Sequence, residues 1–288
     1  MNRRRLRAAL AAAALTVAAA GAAAATGAGQ AAAATAPRTA EHATSTAKVF
    51  HSVNGKGASW LGLGPHTIQG KHALDHQEYS ENWAGYAADS TTYTSASASW
   101  KQPSVDCSEG SGYSAFWVGI DGFNSSTVEQ TGTEADCSGG SASYSAWYEA
   151  YPAASNTYSN TVEPGDSLTA TVTESSGDVF DLVLTDSTQG WTENTDVTVS
   201  GAESSSAEVI AEAPSSELGV LPLADFGTVN FTNAEANSTG FDSLSPVQID
   251  MESAFGQLEA STSSLSDDDF SVTWESSGGP SLPFARQG

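Results

Sequence analysis

The chain has 288 residues, with 34 acidic side chains against ten basic ones and a formal net charge of −24 at pH 7. The imbalance is concentrated, because only Lys101 and Arg286 lie beyond Tyr79, where 31 acidic residues bring the net charge of 79–288 to −29. A field of that sign repels nucleic acid and anionic membrane and argues against both as partners.

In chain order, residues 1–36 have the organisation of an export signal. Arg3, Arg4, Arg5 and Arg7 precede an alanine-dominated run, Ala8–Ala25, and Ala-x-Ala sites follow it. The run approaches spanning length, but alanine is weakly hydrophobic, so cleavage and secretion to the extracellular space are expected rather than anchoring. The overall composition has a bacterial character. Residues 37–78 carry four basic residues, three acidic ones and all five histidines: His42, His51, His66, His72 and His76. They read as a pro-segment or linker. A cationic arm ahead of an acidic domain fits a charge-paired pro-peptide that lets go on acidification, with a passive tether as the alternative.

From Tyr79 onward the pattern is of strands. Alternating or β-branched runs fall near 94–100, 113–121, 144–151, 168–174, 179–185, 195–200, 207–212, 228–232, 247–252 and 270–274, with Ser, Gly, Asn and Asp between them. No stretch sustains a helical period. Many short strands with hairpin-length connections imply an antiparallel two-sheet sandwich or barrel, with 79–288 as one domain.

The richest stretch is Phe116-Trp-Val-Gly-Ile-Asp-Gly122. Alternation puts Phe116, Val118 and Ile120 on one face and Trp117, Gly119 and Asp121 on the other. Gln130 precedes a Thr-Gly turn signal, and Ser145, Trp147 and Glu149 share a face of a second strand. Glu208 and Glu212 share a face of a third, which Pro214 ends. Cys107 and Cys137 are the only cysteines and are expected to form one disulfide. With no histidine beyond Tyr79, a Ser-His-Asp triad, a Cys-His pair and a histidine zinc site are excluded from the main domain. Asp267-Asp-Asp269 lacks the spacing of a calcium loop, and neither a metal nor an organic cofactor is implied. The remaining chemistry belongs to carboxyls, amides, hydroxyls and aromatics, working in acid.

Asn82-Trp-Ala-Gly85, Phe116–Gly122, Gln130-Thr-Gly132, Ala146-Trp-Tyr-Glu149 with Tyr151-Pro152, and Ala207-Glu-x-Ile-x-Glu212 occur in this order. Together they resemble the glutamic peptidases (eqolisins), which are secreted and work in acid. The resemblance implies a lectin-like sandwich of two curved antiparallel sheets, with a polypeptide substrate across the concave face. It implies Gln130 and Glu212 as the catalytic pair, and Trp117, Asp121, Trp147 and Glu149 as residues that line or support the substrate-binding cleft. The family usually has aspartate where this chain has Ser145, which removes one charge from the cleft. A monomer is the default state.

Two other readings use the same residues. A non-catalytic carbohydrate-binding sandwich would stack sugars on Trp117, Trp147 and Tyr151. A glycosidase would use Glu149 and Glu212 as its carboxyl pair.

Overall fold

A computed structural model describes residues 60–62, 65–66 and 76–278. The expected signal segment, 1–36, and most of the expected pro-segment, 37–78, lie outside the described residues. Among those described, no helix is long and apolar enough to cross a membrane.

The described chain is built of strands. The first seven are β1 (Trp60–Gly62), β2 (Gln77–Ser80), β3 (Trp83–Ala88), β4 (Ser95–Lys101), β5 (Ala115–Ile120), β6 (Val128–Ser138) and β7 (Ser141–Tyr151). Next come β8 (Asn156–Thr157), β9 (Ser167–Ser176), β10 (Val179–Asp186), β11 (Trp191–Thr198), β12 (Ala207–Glu212), β13 (Ser215–Ser216) and β14 (Gly219–Val220). The last are β15 (Thr228–Ala236), β16 (Thr239–Gly240), β17 (Val247–Glu252), β18 (Leu258–Thr262) and β19 (Phe270–Trp274).

One hydrogen-bonded path runs β11-β10-β9-β4-β15-β19-β18-β17-β3-β12-β5-β6-β7-β8. The path folds back on itself, so that β4, β9, β10 and β15 lie across β5, β6 and β12. This is the expected two-sheet sandwich. All the pairings along the path are antiparallel, and β2 joins β17 in parallel. Between the sheets, Phe116, Val118 and Ile120 pack in one cluster with Val209, Ala211, Leu168, Val172, Leu182 and Leu184. On the other face of β5, Trp117 joins a second cluster with Trp83, Trp147, Val128 and Ile210. Period-2 alternation therefore feeds two apolar clusters, one on each side of a single sheet.

The expected strand positions are met within a few residues, but β3, β6 and β18, and the short β1, β2, β8, β13, β14 and β16, were not foreshadowed. The Thr131-Gly132 turn expected after Gln130 is absent, since both residues lie in the middle of β6. Gly132 stands there for a different reason. A Cβ on it would collide with the Phe116 carbonyl and the Trp117 backbone across the strand pair. Close approach, not a change of direction, demands the glycine.

Cys107 and Cys137 form the expected disulfide, tying a short 3-10 turn (Cys107–Glu109) to the end of β6 across a separation of 30 residues. Replacing both cysteines by serine should cost about 3 kcal/mol, read as a lower urea midpoint. Reducing agent should lower the midpoint of the native chain by the same amount and leave the double variant unaffected.

Candidate active site

The candidate residues sit on four neighbouring strands in continuous register. Glu208 lies opposite Gly119, Gly119 opposite Gln130, and Gln130 opposite Glu149. Two residues along, the same crossing is made by Ile210, Trp117, Gly132 and Trp147. Alternation then places Trp117, Gln130, Trp147, Glu149, Glu208 and Glu212 on the face away from the inter-sheet core.

Glu212, at the end of β12, is held from two sides. Trp117 Nε1 donates to Oε2 at 2.8 Å, and Asn82 Nδ2 donates to Oε1 at 3.3 Å. Burial raises its pKa well above the ordinary glutamate value, and the Glu149 charge adds to that, while the Trp117 and Asn82 hydrogen bonds pull it back. Gln130 Nε2 donates to Glu149 Oε2 at 2.9 Å. Glu149 is therefore the link between the two expected catalytic residues, as acceptor for one and repelling charge for the other. As the acceptor of that bond, Glu149 orients the Gln130 amide with its nitrogen towards β7.

The aromatic side chains form the walls. Trp83 meets Trp117 edge-on, with centroids 4.9 Å apart and planes at 76°. The Trp117 indole leans across Gly119, where a Cβ would come within 2.8 Å of the ring. Gly119 thus leaves room for an indole that must reach Glu212. Trp147 packs in the same cluster. Asn82, Trp83 and Phe123 were not expected as site residues, although Asn82-Trp83 had been visible as a motif.

Asp121 does not face the cleft. It is fully buried with φ of 68°, and its carboxylate accepts the backbone N–H groups of Glu203, Ser204 and Ser205 and the Ser205 hydroxyl at 2.8–2.9 Å. Of its two expected roles, lining and supporting, the geometry leaves the second. Ser145 donates to Glu134 Oε2 at 3.0 Å, so the hydroxyl that replaces the usual aspartate relieves a neighbouring carboxylate rather than repelling it. Glu208 shares the register row of Gln130, but the charges acting on it are Asp121, Glu129 and Asp89, not Glu149.

Residues 81–274 match the Peptidase A4 family. Aspergillopepsin-2 of Aspergillus niger is 34% identical over 191 residues, 57% of this chain and 67% of that protein. Scytalidopepsin B of Scytalidium lignicola is 30% identical over 219 residues, 71% of this chain and 75% of that one. Among solved structures, scytalido-glutamic peptidase with a transition state analog inhibitor superposes with a TM-score of 0.59 at 26% identity, over 68% of this chain and 98% of that chain. Aspergilloglutamic peptidase from Aspergillus niger gives 0.51 at 32% identity, over 57% and 99%.

Several other carboxyls have their pKa raised by burial, as Glu212 does. Burial and the Asp121 charge push Glu129 up to about 8, and burial and Glu81 push Glu259 up to about 7. The folded state holds these protons more tightly than the unfolded chain does, where the groups return to 4.5. Their stabilisation is thus complete below pH 4.5 and is lost as pH rises through about 7 and about 8. The melting temperature should be highest near pH 4 and fall by at least roughly 5 °C by pH 8. Glu129→Gln and Glu259→Gln should flatten that slope in the same melting series.

Proposed function

Given that the chain belongs to the Peptidase A4 family and is a glutamic endopeptidase acting on polypeptides, we propose that Gln130 and Glu212 carry its chemistry. The observation behind the pairing is Glu149, which hydrogen-bonds the Gln130 amide and is the leading charge on Glu212. A water set between the two side chains would lose its proton to the Glu212 carboxylate as its oxygen attacks the scissile carbonyl carbon. The Gln130 N–H donates to the oxyanion that forms, and Glu212 then passes its new proton to the departing amine. The C–N bond breaks, and the products are a carboxylic acid and an amine.

This cycle needs Glu212 ionised at the start. Burial and the Glu149 charge oppose ionisation, whereas the Trp117 and Asn82 hydrogen bonds favour it. An extended peptide laid along the face of β5, β6 and β12 would meet Trp117 and Trp147 as side-chain walls, with Asp121 fixing the loop that leads into β12. Export, and a pro-segment within 37–78, are part of the same proposal. They rest on the arginine-alanine leader and on the charge contrast between the two regions.

Gln130→Ala should lower kcat on a denatured protein substrate at pH 3–4 by about 10²–10³. Glu212→Gln should lower it by about 10²–10⁴. Glu208→Gln should stay within about tenfold of the native chain, because that carboxyl answers to a different set of neighbours. Equal loss at Glu208 and none at Glu212 would reassign the carboxyl.

Glu149→Gln tests the link. The amide it creates can present either end to Gln130, so the glutamine orientation is no longer fixed. Removing the Glu149 charge also lowers the pKa of Glu212. The expected result is a tenfold or greater fall in kcat, together with an acid limb of the pH–rate profile displaced to lower pH.

A further inference from the structure

Beyond the Glu212 end of β12 lie two hairpins. β13 begins three residues after Glu212 and turns into β14 at Leu218, while β17 turns into β18 past Phe255. Both turns line one cavity of about 430 Å³, together with Glu81, Leu221, Glu259 and Gly278. That volume admits a leucine or phenylalanine side chain and falls in the usual range of ligand pockets. Glu81 immediately precedes Asn82, whose amide donates to Glu212. The cavity therefore adjoins the candidate active site.

Leu218 is 99% exposed and Phe255 77%, and few large apolar side chains are left in solvent among the described residues. A single exposed leucine needs no explanation. Two on different hairpins that line one cavity do. Deeper in, Glu259 is only 5% exposed, and its Oε2 has no hydrogen-bond partner among the described residues. Its Oε1 lies where a Cβ on Gly278 would stand, so the glycine makes room for the carboxyl. Burial and the Glu81 charge raise the group to about 7, so in acid it carries a proton and can donate. A buried donor without an acceptor is costly. A peptide carbonyl in the cavity would supply the acceptor.

We infer that this cavity is a second binding site for the polypeptide substrate, seating a bulky apolar side chain against Leu218 and Phe255 while Glu259 hydrogen-bonds a carbonyl beside it. The inference rests on the peptidase reading of Gln130 and Glu212. Leu218 is six residues past Glu212, which puts it within about 20 Å of that residue. About six extended substrate residues span the same distance. A segment held there tethers the substrate without touching the reacting bond, so it lowers KM and leaves kcat alone. The selection is for apolar residues several positions away from the cleaved bond.

The test compares two peptides on the full chain at pH 3–4. The short one has about four residues and ends before the cavity; the long one has about sixteen, with the same centre and phenylalanines towards both ends. Leu218 and Phe255 are exposed, so replacing both by serine leaves the core intact. That pair should raise KM for the long peptide about tenfold at unchanged kcat, and leave the short peptide unaffected. Glu259→Met keeps the volume but loses the donor and should raise the same KM. Glu259→Gln, whose amide still donates, should not. Unchanged long-peptide KM in the serine pair, or a shift shared by both peptides, would overturn the inference. Self-association that the serine pair abolishes at unchanged KM would give the surface to a second copy instead. A native chain that cleaves neither peptide, yet binds the long one about tenfold better than the serine pair does, would sink the catalytic assignment while upholding the cavity.

Discussion

A carboxyl group taken out of water with no cation beside it needs a proton, and this domain has almost no cations to offer. Two cationic residues beyond Tyr79 serve 31 acidic ones. Glu129, Glu208, Glu212 and Glu259 are nonetheless buried, and each has its pKa raised by burial first and by another carboxylate second, or by a further carboxylate below that. Acid is thus a component of the folded state. Most proteins lose paired carboxylates to protonation and unfold in acid. Here the same protonation removes self-repulsion and leaves little positive charge behind.

The candidate active site is a local use of this rule. Strand alternation sends β5, β6, β7 and β12 residues to two faces, one closing on the second sheet and the other presenting indoles and carboxyls. Glu212 there accepts two hydrogen bonds, from Trp117 and Asn82, which oppose the upward push of burial. Hydrogen bonds, rather than any cation, are what this face has to set against burial.

Much of this could be read from the sequence. The runs of Phe116, Val118 and Ile120 and of Ala207 to Glu212 marked strands because one face was uniformly apolar. β6 was illegible for the opposite reason: Glu129, Gln130, Thr131 and Thr133 are polar on both faces, and each is buried by its place in the sandwich. Gly132 looked like a turn because close approach to a neighbouring strand leaves the same residue as a change of direction. Gln130, Glu149 and Glu212 could be named from their motifs, but the bond from Gln130 to Glu149 depends on a strand register that no local pattern states.

The Asp121 clamp has one more consequence. It grips residues 203–205 mostly through their peptide nitrogens, with the Ser205 hydroxyl as the one side-chain contact. The start of β12, and with it the phase in which Glu212 arrives, is fixed from outside that segment. The strand that carries Glu212 is thus started by a carboxylate on a neighbouring strand, through contacts made mostly to main chain.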